Sequence, residues 1–306
     1  MRHLAPLAGL AALIAGPASA QSIVGRTQTT FSITETLASG DWVRIASPNG
    51  FVHIAQAAGR QVEIQATKEI RRGSVEDIGF VVYRGSGVGG VTVCAVYDDA
   101  DECDEEGGYH GRGHRSRYWS RDHEARVNFT VRIPAGVRVK ASSENGDVSI
   151  AGAGAEVIAS TGNGRLDISG TTGEVRASTG NGRVTIEGAQ GRVEASSGNG
   201  DIRVVTSVAP VSANSGNGDI EVSIGRLDQS PDMSFSTGNG RVEVTLPEGY
   251  GAEVEASTGS GQVSTDFPIQ MRGRLDPSRL RGKLGPGGGR LSISSGNGDV
   301  DIRKRP

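Results

Sequence analysis

The sequence predicts an all-β chain, a single-stranded parallel β-solenoid (β-helix) of about nine two-strand rungs with insertions at one corner. Three observations predict it. First, Ser/Thr-Gly-Asn-Gly, a charged residue, then apolar-x-apolar keeps returning, as in Gly162-Asn163-Gly164-Arg165-Leu166-Asp167-Ile168. Its asparagines are Asn145, Asn163, Asn181, Asn199 and Asn217 at a spacing of 18, then Asn239 and Asn297, with Gly259-Ser260-Gly261-Gln262-Val263 a worn copy. Second, an apolar-x-apolar pair begins six residues before each Asn, as at Val157, Val175, Val193, Val211 and Met233. Third, that offset of six never changes while the distance between copies does. Extra residues therefore enter only between the strand after one turn and the strand before the next, around Gly225–Pro231, Leu246–Gly251 and Thr265–Arg290. A fixed cross-section with loops leaving one edge is what a solenoid allows.

Within a unit, period-two alternation sends Val175 and Ala177 to one face and Arg176 to the other. Asn-Gly joins the two strands because both residues tolerate positive φ. In a stack with rungs about 4.8 Å apart, each Asn lies over the Asn one rung away, and the amides form a ladder. The turn ladder predicted is Asn145, Asn163, Asn181, Asn199, Asn217, Asn239 and Asn297. Read in chain order, Asn297 belongs to the rung at the C-terminal end. The charged file beside it reads Asp147, Arg165, Arg183, Asp201, Asp219, Arg241 and Gln262.

Taken from its start, the chain opens with Met1-Arg2-His3, an apolar run from Leu4 to Gly16, and Pro17-Ala18-Ser19-Ala20. That pattern predicts a signal peptide over residues 1–20, cleaved after Ala20, and a periplasmic or extracellular protein. The apolar run is too short to span a bilayer, and no transmembrane segment is expected elsewhere. Residues 21–134 form an N-terminal β region, with an early rung (Val43-x-Ile45, Asn49-Gly50, Val52-x-Ile54) and a disulfide loop over 94–126. Strands are expected at Val62–Ile64, Phe80–Tyr83, Val91–Tyr97 and Ala125–Ile133, and a short helical turn after Ser74. Residues 135–306 carry the regular repeats.

The least repetitive stretch holds seven acids between Asp98 and Glu106, then four arginines among aromatics and histidines. Cys94 and Cys103, the chain's two cysteines, are expected to pair in an oxidising compartment. Tyr109, His110, His114, Tyr118 and Trp119 form the candidate binding loop, because loops on rigid scaffolds carry recognition. No metal or other cofactor is expected. The neighbouring arginines neutralise the loop's acids, and no EF-hand spacing is present. Calcium β-rolls need an acid where this repeat puts Arg165, Arg183 and Arg241. A net charge near zero (−3 over the full chain) argues against nucleic acid. The repeats' serines have no histidine beside them in sequence, so no catalytic constellation is legible, and no enzyme is expected. The alternative is a β-helix polysaccharide-active enzyme, by fold analogy. Leu284-Gly285-Pro286-Gly287-Gly288-Gly289-Arg290 lacks the Gly-Lys-Ser/Thr ending of a phosphate loop and reads as a plain loop.

The Asn-Gly-Asp/Arg rungs, the lead-in Phe129-Thr130-Val131-Arg132-Ile133-Pro134-Ala135-Gly136-Val137 and the closing Ser295-Gly296-Asn297-Gly298-Asp299-Val300 resemble a bacterial family. It is the putative-adhesin β-strand-repeat family called Toastrack, domain of unknown function 4097. The resemblance covers roughly residues 40–303, best from 125 onward. It implies a β-solenoid and transfers no catalytic residue. The expected function is that of an exported, non-enzymatic, adhesin-like binding or scaffold protein with an unidentified envelope or surface partner.

Overall fold

The computed structural model describes residues 22–85, 89–97, 102–110, 124–227, 231–271 and 276–305. The signal-peptide expectation for 1–20 lies outside them. Each repeat folds as the alternation dictates. In Val175–Asn181 the residues Val175, Ala177 and Thr179 are buried while Arg176, Ser178 and Gly180 are exposed. After the turn, Val184–Ala189 buries Val184 and Ile186. The first strands of successive units pair in parallel and in register, Val157 on Val175 on Val193, with Asn163, Asn181 and Asn199 aligned. The second strands do the same in a facing sheet, Leu166 on Val184 on Ile202. Between the two sheets one core runs from Val43 to Ile302, built from Val, Ile and Ala with few large side chains.

The stack does not follow chain order at its C-terminal end. The strand Arg290–Asn297 lies between Met233–Asn239 and Ala252–Ser260, and its companion Val300–Lys304 lies between Val242–Leu246 and Val263–Thr265. The final rung is therefore an interior one of the stack rather than the end that chain order suggests, while Asn297 remains the last amide of the ladder. The physical reason is in the side chains. Asn297 continues the amide ladder from Asn239, and Asp299 sits beside Arg241, where Ser260 and Gln262 offer neither the amide nor the charge. The worn copy sits at the edge instead, and the antiparallel strand Arg279–Leu284 covers its outer side.

The N-terminal end differs from the repeats. Gly90–Val96 pairs in parallel with Trp42–Asn49, and Glu124–Ile133 pairs in parallel with Val52–Gln56. These two strands extend the same two sheets beyond the Asn49 rung. Antiparallel strands Thr30–Thr36 and Gln61–Arg72 continue one sheet, and Ile23–Val24 and Gly79–Arg84 the other. The core is aromatic here, with Phe80 stacked on Phe31 at 4.6 Å and edge-on to Phe129 at 6.1 Å. The turn after Ser74 is a 3₁₀ turn, Val75–Asp77, closed by a reciprocal capping box between Ser74 and Asp77. Beneath it lies Lys68, 5% exposed, whose Nζ donates to the carbonyls of Gly25, Arg26, Val75 and Ile78 at 2.6–3.0 Å. One ammonium thus ties the first strand to the body of the fold.

Two positions show how tightly the rungs approach. A Cβ added to Gly198 would lie 2.5 Å from the Gly180 carbonyl oxygen, a backbone atom that cannot yield. Gly198→Ala is expected to lower stability by about 1–3 kcal/mol, read as a shift in urea midpoint. Thr171 is 1% exposed, and its hydroxyl has no hydrogen-bond partner among the described residues. Ala153 and Ala189 occupy the same corner one rung either side. Thr171→Val removes the unmet hydroxyl at constant shape and is expected to stabilise by about 1 kcal/mol in the same assay.

Candidate functional site: the turn ladder, the outer sheet face and the disulfide hairpin

The Gly-Asn-Gly turns stack into one continuous ladder. Asn163 Nδ2 donates to Asn145 Oδ1 at 2.9 Å, and the pattern repeats through Asn181, Asn199, Asn217, Asn239 and Asn297 at 2.6–2.9 Å. At the N-terminal end Asn145 turns to the Pro48 carbonyl at 3.4 Å. Asn49 leaves the series and donates to the Ala125 carbonyl. Each glycine nitrogen after a ladder Asn is also engaged, as in Gly182 to Asn199 O and Gly298 to Ser260 O, both 2.9 Å. Deamidation requires that nitrogen to attack the side-chain amide, and here both groups are held. In protein aged at mildly alkaline pH, peptide mapping should find Asn297 as slow to deamidate as Asn181 and Asn199, and all three far slower than in unfolded chain. Faster loss at Asn297 would contradict its interior position.

A second file runs beside the ladder, and sequence reasoning missed it. The hydroxyl two residues before each Asn is buried and donates to a turn glycine carbonyl of the adjoining rung. Thr161 reaches Gly146, Thr179 reaches Gly164, Ser197 reaches Gly182 and Ser215 reaches Gly200, at 2.9–3.1 Å. The signal was on the page: this position is Ser or Thr in every copy from Ser143 to Ser295. The outermost file carries charge. Asp147 accepts the Arg165 backbone N–H and its guanidinium, both at 2.8 Å, and Arg183 meets Asp201 at 3.0 Å. Burial raises the Asp147 carboxyl, but the hydrogen bonds and charge of Arg165 together hold it below the usual carboxylate range. Insertion of the last rung places Asp299 next to Arg241, at 3.7 Å. These exposed pairs are screened by solvent and tune the stack rather than hold it together.

On the outer face of the first sheet, Ser160, Ser178, Ser196, Asn214, Ser236 and Ser294 form a file of small polar side chains, flanked by the turn glycines. A shallow depression of about 510 Å³ lies over it, bounded by Arg176 and Glu194. Arg176 holds Glu156 at 2.7 Å, Glu174 at 2.8 Å and Glu194 at 3.6 Å. Among the described residues no three His, Cys, Asp or Glu side chains are grouped to hold a metal ion.

At the N-terminal end of this face a hairpin is docked. Cys94 and Cys103 are disulfide-bonded, and Glu102–Cys103 pairs with Tyr109–His110. Asp104 closes the tip by accepting the N–H groups of Glu106 and Gly108. Two tyrosines fasten the hairpin to the sheet. Tyr109 donates toward the Ala46 and Ala95 carbonyls at 2.8 Å, and Tyr83 donates to Cys103 O at 2.6 Å. Burial first, then the acids Glu105, Asp104 and Glu102, raise the Tyr83 phenol. Arg44 lies alongside, lowered chiefly by burial while Glu106 opposes that shift. Arg44 and Arg138 also flank the Trp42 ring, at 5.2 and 4.6 Å. Of the candidate loop, Tyr109 is thus an anchor beneath the hairpin and His110 ends its second strand. His114, Tyr118 and Trp119 lie outside the described residues.

Comparison with known proteins adds the following. No curated protein matches the chain by sequence. A putative cell adhesion protein from Clostridium sporogenes aligns at 11% identity with a TM-score of 0.29, covering 90% of this chain and 100% of that one. A putative adhesin from Bacteroides fragilis aligns at 13% identity with a TM-score of 0.47, covering 92% and 99%. The family model described as Toastrack DUF4097 matches residues 109–303, well over half of the sequence and all the regular rungs from Asn145 onward. With that match and the stacked Gly-Asn-Gly rungs together, the chain belongs to the Toastrack DUF4097 family.

Proposed function

We propose that this protein is an exported, non-enzymatic scaffold that presents a rigid polar surface in the bacterial envelope and binds a partner there in the manner of an adhesin. The observation that carries the reading is the outer sheet face. Its small hydroxyl file lies on a backbone locked by the amide and hydroxyl ladders, so the surface is fixed before any partner arrives. A preorganised surface binds with little ordering cost. The segment 111–121, which carries His114, Tyr118 and Trp119 in the sequence, is the second candidate contact in this reading.

Two measurements test this. Fractionation and protease shaving of producing cells should recover the mature chain, beginning at Gln21, outside the cytoplasm. Purified protein should then bind isolated envelopes saturably. Ser178→Arg with Ser196→Arg should abolish binding if the face is the contact, and deletion of residues 111–121 should abolish it if the loop is. Saturable binding unchanged by both variants, or cytoplasmic protein with an uncleaved N-terminus, would overturn the reading.

A further inference from the structure

We infer that the C-terminal rung, residues 290–304, is an exchangeable element that one copy of this chain donates to the matching slot of a second copy. Two independent features point to it. The first is the rung's place. It is flanked by the Asn239 rung, 58 residues away by ladder position, and by the Ser260 rung, 37 residues away. Every contact that holds it is one that an identical chain can make. Asn297 donates to Asn239 at 2.7 Å, Ser295 to the Gly240 carbonyl at 2.8 Å, and Arg290 N–H to Asp232 at 2.7 Å. From the other side Thr258 donates to the Gly298 carbonyl at 2.7 Å, and Gly298 N–H to Ser260 O at 2.9 Å. A rung withdrawn from this position leaves a slot one rung wide, with two parallel edges in each sheet, each open on the side facing the slot.

The second feature is the joint. The strand Arg279–Leu284 lies beyond the Ser260 rung and is followed by Gly285-Pro286-Gly287-Gly288-Gly289 before the rung begins at Arg290. Gly285 and Gly287 take φ of +55° and +82°, so the joint turns sharply where it crosses the Ser260 rung. Glycines keep the alternative, extended path open at low cost. Five extended residues reach roughly 17 Å, more than three rung spacings of about 4.8 Å, so the rung can swing clear without disturbing the strand before it. The occupant is fixed by register. The slot requires a small residue, a hydroxyl, glycine, Asn, glycine and an acid facing Arg241, which is the order Ser294-Ser295-Gly296-Asn297-Gly298-Asp299. Reciprocal exchange closes a two-fold dimer with no contact type that the single chain lacks.

Ser236 and Ser294 lie side by side on the outer face, Oγ to Oγ 3.1 Å, which gives a direct test. A double variant, Ser236→Cys with Ser294→Cys, should cross-link within one chain under mild oxidant and so report that the rung is correctly seated. The two single variants, carrying different tags, are then unfolded and refolded together at high concentration with the native disulfide intact. Exchange predicts a covalent heterodimer on a non-reducing gel. The control pair, Ser212→Cys with Ser294→Cys, should give none, because the strand Val211–Asn217 lies two strands from Arg290–Asn297, with Met233–Asn239 between them. Light scattering on the unaltered protein refolded the same way should show a species of twice the chain mass. A heterodimer absent from the first pair, or equally abundant in the control, overturns the inference, as does a monomer throughout.

Discussion

Val193→Asp is expected to unfold the middle of the stack. Val193 is fully buried, paired in register between Val175 and Val211, and faces the second sheet across a core of aliphatic side chains. No cation or donor lies in that file, so the carboxylate can neither pair nor reach water. An uncompensated buried charge of this kind lies in the tail of mutational effects, about 4–5 kcal/mol or more. Because each rung rests only on its neighbours, the damage propagates to both sides rather than staying local. Far-UV circular dichroism against urea should show an early transition or none at all. Val193→Ala, which removes volume without charge, should cost about 2–3 kcal/mol and keep the fold. A Val193→Asp protein that melts with the parent would mean that the inward file is wrongly assigned.

Lys68→Met is expected to be nearly as damaging, for the opposite reason. Four carbonyls converge on one ammonium. Methionine fills much the same space but leaves those oxygens without their charged donor. A buried carbonyl left without its donor costs about 1–3 kcal/mol, and several are left at once. The first strand and the Val75–Asp77 turn, which Lys68 joins, should lose protection from hydrogen exchange before the rungs do. Burial, with the charge of Arg26 added, pushes the amine down to about 8. The folded value therefore lies below the unfolded one, near 10.4. Between those values the unfolded chain binds more protons, so stability rises with pH there. The lead of the parent over Lys68→Met should widen from pH 8 toward pH 10, read from urea midpoints. A constant lead would show that the carbonyls hold the proton as firmly as water does.

How much of this was legible depended on which interactions repeat. The two strands per unit, the inward Val and Ile files and the Asn ladder all follow from period-two alternation and a fixed offset, and every copy but the worn one at Ser260 restates them. The buried hydroxyl file was equally periodic, yet its residues, Thr161 through Ser295, looked like ordinary turn formers because Ser and Thr favour turns anyway. Stack order was not legible from periodicity, since copies that share one register fit any neighbour. Its one sequence signal was the worn copy. Ser260 and Gln262 lack the amide and the charge that meet Asn239 and Arg241, whereas Asn297 and Asp299 supply both. Lys68 stood alone. It belongs to no repeat, and the carbonyls that surround it come from Gly25, Arg26, Val75 and Ile78, which only the folded chain brings together.

The out-of-order rung also sets a timetable. Delivered N-terminus first, from a ribosome at roughly 5–20 residues per second or through a translocase, the chain can stack its rungs through Asn239 before the last residues emerge. The Ser260 rung cannot take its final place on arrival, because the rung that belongs between it and Asn239 has not been made. For those seconds it has two choices: to wait, or to dock directly on the Asn239 rung in a register that its worn motif fits poorly. Its missing amide and charge keep that provisional contact weak, so the last residues displace it rather than compete with it. The degenerate copy is thus a placeholder in time, and the fifteen residues 290–304 complete the stack from within.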